Sequence, residues 1–229
     1  MRGVKEKFIK ALCWCVVCIV VFLISIFIHE VGHGWANSLR GVACSTGFNR
    51  VGDIYKSPTD TDFRKEYSTV SGSLLDFGVP ATLIMAIAAT VLFYRASNKK
   101  MKRAVLPFAV TNSLLRLLLC LWVVLTPLLT GGIHVEDEYE TGLILAEMTE
   151  RAWFTYVPAF FSIAVSVICI SAVILKIKEE TKIRNICIYG LLSIFSFGIA
   201  MLFANELDHI VRINWMVVSL EGFMKGVFL

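Results

Sequence analysis

The sequence predicts an all-α polytopic membrane protein of about five transmembrane helices, with a sixth left open at the C-terminus. Two observations carry that reading. Hydrophobic residues make up 57% of the 229-residue chain and charged ones 17%, at a mean hydropathy of +0.72, whereas soluble domains carry about a quarter charged residues. The apolar residues are also gathered into runs long enough to cross about 30 Å of hydrocarbon, separated by short charged segments. Five such runs and their loops use nearly the whole length, so one membrane-embedded domain spanning residues 1–229 is expected.

The first run is uncharged from Ala11 to Ile28 and follows Arg2, Lys5, Lys7 and Lys10. Its layout is that of a signal sequence, but no small-residue cleavage site precedes residue 29, so it reads as a retained anchor. Further spans run from about Ser68 to Tyr94, Ala104 to Thr130, Ala152 to Leu175 and Ile186 to Ala204. The stretch from Arg212 to Leu229 carries Glu221 and Lys225 and fits either an interfacial segment or a weak sixth span. The loop from Trp35 to Tyr67 holds short β-like pieces such as Thr46 to Ile54, which predict a hairpin or strand at the membrane surface.

Charge places the ends. Arg95, Lys99, Lys100, Lys102 and Arg103 crowd one turn, and Lys176, Lys178, Lys182 and Arg184 another. The segment from Gly131 to Arg151 has six acids and one base. By the positive-inside rule the N-terminus is cytoplasmic. The net charge of +4 thus reads as topology, and no nucleic-acid partner is expected. Six of the seven cysteines lie in apolar segments as small buried hydrophobes, the Cys15/Cys18 CxxC pair among them, so no disulfide framework is implied.

The chemistry sits at the end of the first run, where His29-Glu30-Val31-Gly32-His33 spells HExxH. In a helix the i, i+4 spacing puts both imidazoles on one face, where they offer two ligands to a divalent ion. Glu30 is rotated by about 100° from His29. Its carboxylate is thereby placed to take a proton from water acidified by Zn2+ and to pass it to a leaving amine. Two His and a Glu at this depth of an apolar helix are costly unless they are used. Gly32 and Gly34 flank His33 and suit close helix packing or the approach of a substrate backbone. Trp35 and Trp153 read as interfacial anchors.

With its HEVGHG in a membrane helix and SGSLLDFGVP (Ser71 to Pro80) opening the next span, the chain resembles the site-2 protease family of intramembrane zinc metalloproteases. The second segment is similar to that family's Gly-rich motif, with Gly72 in place and Asp76 where Asn is commoner. The resemblance implies a three-helix metalloprotease core within residues 1–142, with residues 143–229 adding further transmembrane helices and the C-terminal segment. It also implies Zn2+ held by His29, His33 and an acid, with Glu30 as the catalytic residue. The family takes its third ligand from an Asp-Gly dipeptide after an Asn on the third core helix. Here Asn112 is followed eight residues on by Cys120, and the dipeptide is absent.

The third ligand is therefore chosen from the residues themselves. Asp137 fits by chain order, since Gly131 and Gly132, past the Pro127 break, let the acidic segment fold back towards the first helix. Asp76 fits by depth: it and His29 each lie about 10 Å outward of their span centres at about 1.5 Å per residue. Asp76 also has a rival task, to pair with Arg116, which stands mid-span in the third helix and needs a partner there. Asp137 is the preferred ligand. Glu136, Glu138, His134 and the Asn205 to His209 cluster, with Asp208, are further alternatives.

The expected function is hydrolysis of peptide bonds in a membrane-associated protein substrate by metal-activated water, in the outer half of the bilayer. The alternatives are a membrane zinc hydrolase acting on a lipid amide, and a non-enzymatic metal-binding scaffold or transporter. Substrate identity and oligomeric state are left open.

Overall fold

Large apolar side chains point outward in this protein and small polar ones inward, the arrangement of helices packed in lipid. On one helix Ser162, Ser166 and Cys169 are buried while Phe160, Phe161 and Ile168 are exposed. The computed structural model describes residues 2–52, 76–178, 181–208 and 210–215.

Helix α1 spans Arg2–Leu39, α2 Gly78–Arg95, α3 Lys99–Thr130 and α4 Asp137–Thr149; a 3-10 turn at Ala152–Tyr156 leads into α5, Val157–Lys178, and α6 covers Ile183–Leu207. Strands β1 (Cys44–Thr46), β2 (Val51–Gly52) and β3 (Ile213–Trp215) form a small antiparallel sheet in the order β2-β1-β3. Five helical segments are long and apolar enough to cross a membrane: Lys5–Leu39, Gly78–Arg95, Lys99–Thr130, Ala152–Lys178 and Ile183–Leu207. These correspond to the five expected runs: the first helix continues about three turns past Ile28, the third, fourth and fifth are extended by about a turn, and the second begins at Gly78 rather than near Ser68.

Four boundaries differ from the sequence reading. Helix α1 continues through Trp35 to Leu39, so the loop begins at Arg40. Pro127 does not break α3, which runs on to Thr130 and ends at Gly131 in the left-handed region (φ 69°). The acidic segment expected as a loop folds from Asp137 into α4, whose first turn holds Asp137, Glu138 and Glu140, the charge that a helix N-terminus favours. Of the C-terminal stretch, Ile213–Trp215 is a strand rather than a helical start. Residues 216–229, the Ser68 to Leu75 end of the second span and Gly72 lie outside the described residues.

Helix α1 is the post around which the rest is arranged. Its middle, from Cys18 to Ile26, packs on α6 and α3 through Cys18, Phe22, Ile26, Leu114, Leu115, Ala200 and Ala204. Ser25 Oγ, which sits 2.8 Å from Val21 O, also lies 2.8 Å from Asn112 Oδ1 on α3. Its C-terminal end meets α2 at glycines: a Cβ on Gly32 would stand 2.8 Å from the backbone of Phe77 and Gly78. On the other side the sheet rests on Gly34, where a Cβ would collide with Trp215 and Thr46. Trp35 and Trp153 are exposed, as interfacial anchors would be.

Candidate metal centre

His29 and His33 leave α1 on one face, their rings 4.4 Å apart, and both are buried. Gly131 turns the chain back after α3, so that Asp137 at the start of α4 arrives opposite them. Asp137 Oδ2 lies 2.7 Å from His29 Nε2 and 3.4 Å from His33 Nε2. The two Nε2 atoms are 3.0 Å apart. Among the described residues His29, His33 and Asp137 form a group able to hold a metal ion, one ligand atom from each.

The donor set suits zinc. Ligand atoms about 2.0–2.2 Å from a tetrahedral ion lie roughly 3.3–3.5 Å from one another. The His33–Asp137 separation already has that value. The 2.7 Å and 3.0 Å separations need to open by about 0.6 Å and about 0.3 Å respectively. Asp137 is also the right electrostatic partner: burial pushes its carboxyl up, but the His33 and His29 imidazoles outweigh that and hold it well below the usual carboxylate range. Glu136 beside it behaves differently. Burial raises it, Arg116 pulls it back, and Asp137 and Glu138 raise it again, to about 7.

Asp76 does not pair with Arg116 and stands outside the His29, His33 and Asp137 group. Its Oδ1 lies 2.7 Å from His33 Nδ1, on the side of the ring away from Asp137, and accepts from Gly78 N–H at 2.9 Å. A carboxylate on the far nitrogen of a ligand histidine fixes its tautomer and orientation. Arg116, in turn, pairs with Glu138: Nη1 lies 3.1 Å from Glu138 Oε2 and 3.9 Å from Asp137 Oδ2. Arg116 and Glu138 are each 1% exposed, so a buried cation is neutralised in place. Arg116 also donates through Nε to Thr82 Oγ1 at 3.1 Å and has Nη2 3.0 Å from both ring nitrogens of His29. Only the ring nitrogen that carries no proton can accept from the guanidinium, which keeps Glu138 and Thr82 as partners in either tautomer.

Glu30 lines the same cavity as the three ligand candidates, a space of about 300 Å³ lined also by Asn49, Arg50 and Val51 of the hairpin. Asp208 shapes that wall without entering the ligand group. It accepts from the backbone N–H of Phe48 and, at 2.9 Å, of Asn49, and so ties the hairpin to the end of α6. His134 pairs with Glu136 at 3.0 Å. His209 lies outside the described residues.

One functional position was missed by sequence reasoning. Gly78 sits so close to the pair of imidazoles that a Cβ would be 2.7 Å from His29 Nδ1 and from His33 Nε2. The sequence signal is the Gly-rich stretch from Ser71 to Pro80, which contains Gly78 as well as Gly72. No protein-family model, curated protein or solved structure matches the chain significantly.

Proposed function

We propose that this protein is a zinc metallopeptidase that hydrolyses peptide bonds of membrane-associated protein substrates, in the manner of the site-2 proteases its HExxH helix resembles. The observation that carries the reading is the convergence of His29, His33 and Asp137 on one point, with the buried carboxylate of Glu30 facing the same cavity.

Zinc bound there would supply a Lewis acid for a carbonyl oxygen and would make water acidic enough to lose a proton near neutral pH. The rest is done by the chain. Glu30 accepts the proton from water and returns it to the departing amine. Asp76 keeps His33 in its ligand tautomer. Arg116, neutralised and held by Glu138, lines the cavity with fixed N–H donors, which can hydrogen-bond a substrate oxygen as negative charge develops on it. The N–H and C=O groups of a helical substrate are engaged with each other, so a substrate segment must unwind before its amide is reachable. The polar hairpin wall is where such a segment finds water. In this reading the N-terminus is cytoplasmic and the cavity lies in the outer half of the bilayer.

The test is purified protein assayed for bound metal and for cleavage of membrane protein substrates. Wild type is expected to carry one zinc per chain and to cut. Glu30→Gln is expected to keep the zinc and lose at least about a hundredfold in rate, the lower range for a general base. Undiminished cleavage by that variant sinks the reading. Release of a fatty acid from lipid amides with no peptide product would assign the same site to lipids instead.

A further inference from the structure

At the end of the bundle away from His29 and His33, helices α1, α3, α5 and α6 part around an apolar cavity of about 800 Å³. That volume is at the upper end of ligand sites, about 300–1,000 Å³. One wall is rigid: Trp14 meets Tyr189 edge-on with ring centroids 5.1 Å apart and donates to Ser193 Oγ at 3.0 Å. The opposite wall is aliphatic, with Pro107, Val110, Val173 and Ile174.

A second cavity of about 420 Å³ adjoins it and shares Arg103, Leu106, Ile177 and Thr181, but is lined also by Lys99, Lys102 and Lys176. An apolar chamber and a cationic one thus meet at Arg103, Leu106, Ile177 and Thr181. The basic residues are in excess along the chain as well: Arg95 to Arg103 holds five cations and no acid, and Lys176 to Arg184 holds four cations against Glu179 and Glu180.

We propose that this pair of cavities binds one anionic phospholipid, an acyl chain in the apolar chamber and its phosphate among Lys99, Arg103 and their neighbours. Charge complementarity selects the occupant. Peptide or detergent would fill the apolar part without using the cations, and a free anion would use the cations without the chamber. Basic pockets between membrane helices hold acidic head groups for this reason. The site is independent of the metal centre and stands whatever reaction that centre performs.

Full-length protein, delipidated in detergent, is offered equal amounts of phosphatidylglycerol and phosphatidylcholine, and adducts are read by native mass spectrometry. One phosphatidylglycerol per chain is expected, in preference to phosphatidylcholine. Lys99→Gln and Arg103→Gln should each weaken its retention by about fivefold, the effect of one cation near an anionic lipid. Gly190 lines the apolar chamber, and a Cβ there meets nothing within 4 Å. Gly190→Phe should therefore abolish adducts of both lipids. Gly198→Phe, which also points into open space but lies away from the cavity, should not. Millimolar inorganic phosphate should leave retention intact. Equal uptake of the two lipids, displacement by phosphate, or full retention by both cation variants would each overturn the proposal. The cation variants lie at the rim, so they decide the question even if Gly190→Phe fails to fold.

Discussion

Asp76 Oδ1 stands 2.7 Å from Nδ1 of His33, while Nε2 of the same ring faces Asp137 at 3.4 Å. The imidazole is therefore held at both ends. A carboxylate in the outer position leaves Nε2 as the ring's free lone pair and raises its basicity.

Asp76→Asn is accordingly expected to weaken metal binding by about 10- to 100-fold without abolishing it, the range for outer-shell partners. Competition with a chelator of known affinity measures this. A complete loss of metal would make Asp76 a direct ligand.

Asp137 and Asp208 separate ligand from support. Asp137→Ala is expected to lose stoichiometric zinc, since it removes one of three converging donors. Asp208→Ala should keep the metal while freeing the loop that Phe48 and Asn49 anchor. Metal analysis on both variants, with limited proteolysis near Asn49, tests the contrast.

The Arg116–Glu138 pair is buried, so breaking it from one side should cost far more than removing both charges. Glu138→Gln is expected to destabilise by about 3 kcal/mol, the lower end for an orphaned buried charge, because Asp137 remains 3.9 Å from the guanidinium. Arg116→Met combined with Glu138→Leu should recover much of that in denaturant unfolding of the detergent-solubilised protein.

Gly78→Ala tests the close approach. Its Cβ would press on both imidazoles at 2.7 Å, so zinc affinity should fall at least tenfold, with roughly 1–3 kcal/mol lost to overpacking. Gly198→Ala, in open space, should change neither. Equal zinc affinity in Gly78→Ala and wild type would show that α2 can retreat from the site.

What the sequence determined by itself was whatever depends on neighbours along the chain. Hydropathy runs are local, and all five spans were legible, although the end of the first and the start of the second were displaced by about three turns. The i, i+4 spacing of His29 and His33 is local too, so two ligand candidates and Glu30 beside them could be read directly. The hairpin was legible as Gly-punctuated β-like pieces around Thr46.

The remainder needed the tertiary structure, because it concerns groups from different helices. The sequence offered Asp76 to Arg116, and nothing in the chain order says that Glu138 reaches it instead. Where Gly131 sends α4 decides that Glu138 lies against Arg116 and Asp137 against the imidazoles. How closely α2 approaches α1 through Gly32 and Gly78 decides that Asp76 meets His33 instead. Carboxylates are alike in sequence. They become ligand, orienting partner or counter-ion only by which cation or imidazole the folded helices bring within about 3 Å, the reach of a hydrogen bond.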